Sequence, residues 1–289
     1  MKAFFLLFLF LLMSTDVIAQ TTAVNAPTAL PEFDKLWDYS KPQETEQKFR
    51  ELLPQAMTAP DANYLFELQT QIARTQGLQR KFDDAHKTLD DVKSSFDARP
   101  AMKMRAMIRY ELERGRVFNS SNRKAEAIPH FERALELGIE IKEDVLAVDA
   151  AHMLGIATSG DTALGWNERA VQMAESSDEP KAKGWLGALY NNIGWTYHDM
   201  GKYDAALDYF ERDLKWYEER KLENQSRIAK WSIAKMHRLL GDPAKAFEEQ
   251  NAILAEIEDK KIDPDGYVFE ELGECSLALG HDEAEWKGY

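Results

Sequence analysis

The sequence predicts an all-α fold, a stack of antiparallel helix pairs, on three observations. After Pro31, apolar residues recur at three- and four-residue spacing, with only short breaks at Gly, Pro, Asp or Asn. No stretch sustains the period-two alternation of a half-buried strand. A unit of 34 residues, Gly187 to Arg220, finds counterparts along the chain, as in chains whose units bury their faces on one another. With 44% hydrophobic and 30% charged residues the chain has ample material for such packing. Its net charge of -14 argues against a nonspecific grip on nucleic acid or anionic lipid, because both need surplus Lys and Arg at the contact face.

Residues 1–19 read as an export signal. Lys2 precedes an apolar run, Ala3 to Met13, and Val17 and Ala19 stand at the -3 and -1 positions of a cut that leaves Gln20 first. The run of 11 residues falls short of the roughly 20 that a membrane span requires, so a retained anchor is the weaker alternative. A periplasmic or secreted location is therefore expected, with no stable membrane span after cleavage. Residues 20–31, with Pro27 and Pro31 and few large apolar side chains, read as a flexible leader. One cysteine, Cys275, permits no intramolecular disulfide.

Residues 32–60 are expected to cap the stack, with Ser40 as N-cap of a helix containing Phe49, Leu52 and Leu53. Residues 61–289 supply about five full units and a partial sixth. Ile72, Ala73, Phe82, Ala85 and Leu89 mark the first, and Gly115, Phe118, Ala127, Phe131 and Ala134 the second. Leu154, Gly155, Ala163 and Ala170 mark a third if its turn at Ser159 to Thr162 is about four residues short. The fourth is the clearest: Tyr190, Ile193, Gly194, Tyr197, Gly201, Tyr203, Ala206 and Phe210 fall at positions 4, 7, 8, 11, 15, 17, 20 and 24 of a unit starting at Gly187. Small residues at positions 8 and 20 let two helices approach, while large ones fill the space to the next pair. Ile233, Ala234, Gly241 and Ala246 mark the fifth; Phe269, Leu272, Gly273 and Gly280 open a sixth that the chain leaves unfinished at Tyr289.

This pattern resembles the tetratricopeptide repeat nearly position for position. Phrases such as WDYSKP, ERGRVFNSS and LYNNIGWTYHDMG also resemble a group of exported bacterial tetratricopeptide proteins without an assigned activity. The resemblance implies a right-handed superhelical solenoid whose concave face is lined by the first helix of each unit.

Catalytic and metal patterns are missing from the sequence. Gly155 to Thr162 has the glycine spacing of a phosphate loop but lacks its Lys, and Asp263-Pro264-Asp265-Gly266 lacks the flanking ligands of a calcium loop. The six histidines show no HExxH spacing, and no CxxC pairs with them. Neither enzyme activity nor a cofactor or metal is expected.

The resemblance implies that positions 2, 5, 9 and 12 of each first helix point into the groove. They give Arg74, then Arg109 and Arg116, then His152, then Asn191, Trp195 and His198, then Trp231, Lys235 and Arg238. In an acidic chain this lining reads as basic and aromatic, suited to an acidic peptide or protein segment: Arg forks hold carboxylates, Asn holds a backbone amide, and Trp offers flat anchors. The blander readings are ion pairing of Arg116 with Glu111 or Glu113 and burial of the two tryptophans between units. The expected function is a non-catalytic peptide- or protein-binding scaffold. The alternatives are assembly with itself or a partner through the C-terminal face, and a small-ligand receptor or enzyme.

Overall fold

In the computed structural model, residues 30–97, 105–263 and 266–281 are described. The chain divides into residues 1–31 and 32–289, and the second unit carries all the described helices. The expected signal and nearly all of the expected leader lie outside the described residues.

Every regular element among the described residues is helical. A 3-10 turn, Phe33–Lys35, precedes α1 (Pro42–Thr58), α2 (Ala62–Leu78), α3 (Phe82–Asp97), α4 (Arg105–Ser120), α5 (Lys124–Ile141), α6 (Asp144–Ala157) and α7 (Gly160–Ser176). A four-residue helix, α8 (Pro180–Lys183), leads to α9 (Leu186–Asp199), α10 (Tyr203–Glu219), α11 (Glu223–Leu239), α12 (Pro243–Asp259) and α13 (Gly266–Leu279). Helices α2/α3, α4/α5, α6/α7, α9/α10 and α11/α12 pack as pairs, α1 lies against α2, and α13 packs on α12.

The pairing follows from the small residues. A Cβ on Gly115 would come within 2.5 Å of the Phe131 ring, and one on Gly194 within 2.6 Å of Phe210, so each ring fills the space that its glycine leaves. Phe131 and Phe210 are fully buried there.

The turns repeat as well. The middle residue of the three-residue linker is left-handed after α2 (Arg80, φ 60°), α4 (Asn122, φ 65°), α9 (Gly201, φ 70°) and α11 (Gly241, φ 95°). The amide of the next residue then donates back across the helix end: Lys81 to Gln76 O (2.9 Å), Arg123 to Phe118 O (2.8 Å), Lys202 to Tyr197 O (2.9 Å) and Asp242 to His237 O (2.9 Å). This is the six-to-one closure that satisfies the last carbonyls of a helix.

Two local expectations need correction. Ser40 does not cap α1. The N-cap is Lys41 without a side-chain bond, and Pro42 supplies the preset first-turn φ. Ser40 instead turns back to Asp38 (Oγ to Oδ1, 2.6 Å), while the Thr45 hydroxyl donates to Asp38 O (3.1 Å) and accepts from Asp38 N (3.2 Å). The third unit is shortened, but not within Ser159–Thr162. Helix α6 ends at Ala157 after 14 residues, only Thr158 and Ser159 link it to α7, and Gly160 already begins α7. The Thr158 hydroxyl closes that truncated end on Leu154 O (2.7 Å). Any second helix of the sixth unit would fall mostly outside the described residues.

Candidate functional site

The first helices of successive units, α2, α4, α6, α9, α11 and α13, bring their groove-directed residues to one face, where these gather in two recesses. The N-terminal recess, about 360 Å³, is lined by Arg74, Arg105, Arg109, Arg116, Asp149 and the rings of Trp37, Tyr39 and Trp185 among others. The C-terminal one, about 560 Å³, is lined by Asn191, Trp195, Asn224, Arg227, Ile228, Trp231 and Tyr267 with aliphatic neighbours.

In the first recess each expected base already has a carboxylate. Arg74 Nη1 donates to Glu113 Oε1 (3.1 Å), Arg116 Nη1 to the same oxygen (2.7 Å), and Arg116 Nη2 to Asp149 Oδ1 (2.5 Å). Alongside runs a second chain: Arg109 Nε donates to Glu67 Oε2 (2.8 Å), Arg105 lies 3.4 Å from that oxygen, and Arg105 Nη1 reaches Glu143 (2.6 Å). Each chain of alternating charge ties the first unit to the second and third. Glu113 is almost fully buried, and a buried ion is tolerated only when paired in this way. Burial alone would lower the Arg116 pKa; Asp149 and Glu113 outweigh it and raise it above the ordinary arginine value. Burial would likewise lift the Asp149 carboxyl, but Arg116 and then Arg74 hold it below the usual range.

His152 sits beside this network with its ring 5.0 Å from that of Trp185, and its Nδ1 is buried without a partner. Burial lowers its pKa, Asp149 opposing, so it is neutral at pH 7. The Trp37 and Tyr39 rings stack at 4.6 Å beneath the Arg74 guanidinium, and the Trp37 indole N–H donates to Gln71 Oε1 (3.0 Å).

The second cluster is built differently. Trp195, Trp231 and Tyr267 form a ladder with ring centroids 5.7 Å apart at each step, and the rings stand on α9, α11 and α13. The Trp231 indole N–H donates to Tyr267 O (3.0 Å). His198 packs edge-on to Trp195 and bonds Asp199 (3.0 Å). Both tryptophans are half-buried, so the reading that places them between units and the one that offers them to a guest each hold in part. Asn191 Oδ1 and Asn192 Nδ2 are buried without hydrogen-bond partners. Lys235 (3.0 Å) and Arg238 both donate to Glu271 of α13, itself almost fully buried.

The expected lining is thus present but is not a free basic surface: Arg74, Arg109, Arg116, Lys235 and Arg238 are each held by a carboxylate of the chain itself. Of these carboxylates, the sequence singles out only Glu113, as a partner of Arg116, and it singles out none of Trp37, Tyr39, Trp185 and Tyr267. A signal for the other partners exists, because position 2, which holds Arg109 in the second unit, holds Glu67 in the first and Asp149 in the third. Position 6 holds both Glu113 and Glu271, which accept from the position 9 bases Arg74 and Lys235 of the preceding unit.

Cys275 is buried and burial pushes its thiol up to about 11, as befits a packing residue. No cluster of potential metal ligands occurs among the described residues, and none of their helices is long and apolar enough to cross a membrane.

Fold and face together define a helical-repeat solenoid with a recessed first-helix surface. Residues 186–219 match the family model described as Tetratricopeptide repeat. No curated protein matches the sequence. Among solved structures the chain is similar to a signal transduction ATPase with a tetratricopeptide repeat sensor from Pyrococcus horikoshii: 15% identity, 83% of this chain and 37% of that one covered, TM-score 0.66. It therefore spans little more than a third of that protein. It is also similar to the apo form of RapI (12% identity, 86% and 70% covered, TM-score 0.68) and to NprR in complex with its cognate peptide NprX (16%, 89% and 74%, TM-score 0.53). Residues 186–219 thus match one tetratricopeptide repeat, and the chain has the fold of these solenoids.

Proposed function

We propose that the chain is an exported, non-catalytic scaffold that holds an extended segment of a partner protein along its first-helix face. The observation that carries this reading is the convergence of two recesses on that face, each walled by aromatic side chains and polar groups from successive units. The peptide-bound state of NprR, a protein of similar fold, supports it. An acidic residue of the guest belongs at the N-terminal recess. There Arg109 spends only its Nε on Glu67, leaving its Nη fork without a hydrogen bond and free for an incoming carboxylate.

The test is to recover partners from cell-envelope extract on protein starting at Gln20 and to measure their affinity for wild type and Arg109→Met, with helicity checked by circular dichroism. Hydrogen bonds to charged groups contribute about 1.5–3 kcal/mol, so the folded variant should bind roughly ten- to a hundredfold more weakly. Unchanged affinity would remove the acidic contact from the reading; no bound partner at all would remove the scaffold reading itself.

A further inference from the structure

We propose that the C-terminal recess takes an uncharged stretch of the guest and buries one aromatic or branched aliphatic side chain of it among Trp195, Ile228, Trp231 and Tyr267. The proposal rests on the reading of this face as a peptide-binding surface and names the chemistry of the guest there.

The first argument is the wall itself. Ile228 is 53% exposed and Tyr267 62% exposed, large apolar side chains left in water at the rim of a cavity of about 560 Å³. Such recesses gain most from an apolar group that displaces water and fills them.

The second argument is charge. Arg227, the one charged residue lining the recess, lies 3.5 Å from Glu256, and the neighbouring bases Lys235 and Arg238 are bound to Glu271. A guest carboxylate would meet only Arg227, whose Nη2 already donates to Asn224 Oδ1 (2.8 Å) and whose unpartnered Nη1 is buried beside Glu256, in a chain of net charge -14 that repels it.

The third is the set of hydrogen-bonding groups. Asn191 lines the recess and its amide oxygen has no partner, so a rotation of that amide toward the cavity lets it bond the main chain of an extended segment.

The fourth is a precedent within the chain. At the other recess the chain's own segment before α1 lies against the first helix of the first unit, its Trp37 ring stacked on Tyr39 and its indole N–H on a first-helix amide, Gln71. The C-terminal recess repeats that combination of aromatic wall and first-helix amide.

The experiment is a selection of random twelve-residue peptides displayed on phage against the full chain, followed by titration of the selected synthetic peptides. Wild type is compared with Ile228→Asp, with Tyr267→Ser as a second variant should the first fold poorly, and with Glu126→Gln on α5, outside both recesses. Enriched peptides should share Trp, Phe, Leu or Ile at one position without enrichment of Asp or Glu. They should bind Ile228→Asp and Tyr267→Ser at least tenfold more weakly and Glu126→Gln with unchanged affinity. Peptides that share acidic residues without an apolar anchor, or that bind the Ile228 and Tyr267 variants as well as wild type, overturn the proposal while the peptide-binding reading stands. A selection that enriches nothing on wild type overturns both.

Discussion

Asp213 illustrates how a single residue can depart from the repeat. It occupies position 27, where the second and third units have Ala134 and Ala170. Its carboxyl is almost fully buried, with Oδ1 unpartnered, and burial pushes its pKa up to about 8. The same surroundings push the Tyr217 hydroxyl up to about 12, burial acting first and Asp213 second. In the unfolded chain Asp213 titrates near 3.8, so between that value and about 8 the folded state holds a proton that the unfolded state has released. Stability from this group is therefore full below pH 3.8 and lost as pH rises toward 8. Asp213→Asn should be more stable than wild type by several kcal/mol at pH 8.5, the cost of holding the buried carboxyl ionised, with a much smaller difference near pH 4. Paired urea titrations at the two pH values check this, and a gap independent of pH would contradict the assigned titration.

Elements are set by their ends as much as by their faces. Three linkers after second helices also place a left-handed residue, always lysine: Lys142, Lys221 and Lys261. A cation at a helix C-terminus is favoured by the helix dipole, which offsets part of the cost of positive φ in a residue with a Cβ. Arg80 holds the position that Gly201 and Gly241 hold in later units, and its guanidinium lies over the Phe82 ring at 5.7 Å. Arg80→Gly should relieve the left-handed strain. The expected gain is about 0.5–1 kcal/mol after loss of the exposed cation–π contact, read as a rise in melting temperature. A fall would mean that the ring contact outweighs the backbone. The sequence announced these turns only where glycine or, at Asn122, asparagine marked them. At Arg80 and the three lysines nothing in the residue type signalled positive φ, because the closure of the preceding helix imposes it.

At the scale of the molecule, first helices are tied across units by ion pairs in two places, from the first unit through the second to the third and from the fifth to the sixth. Between them, the fourth unit has Asn192 and Trp195 where the ion-paired units have Glu113 and Arg116, so the face changes there from ionic to aromatic. Glu113 holds Arg74 and Arg116 together; Glu113→Leu leaves two largely buried guanidinium groups short of a partner and should destabilise by about 3–5 kcal/mol. Glu126→Leu, which removes the exposed partner of Arg123, should cost far less, because solvent screens that pair. Chemical denaturation of both variants checks the contrast, and equal losses would show that the buried network adds nothing beyond surface pairing.

The sequence by itself determined the helix pairs, their small and large packing positions and most of the residues that reach the first-helix face, because these follow from local periodicity and from the volume a helix pair can close around. It did not determine which charges remain available to a partner. That was decided by tertiary structure: residues 39 apart, such as Arg74 and Glu113, meet only when one unit stacks on the next, and in the low dielectric between units opposite charges must pair before any guest arrives. The aromatic ladder of Trp195, Trp231 and Tyr267 has the same origin, since its three rings come from three helices and become one wall only in the assembled stack.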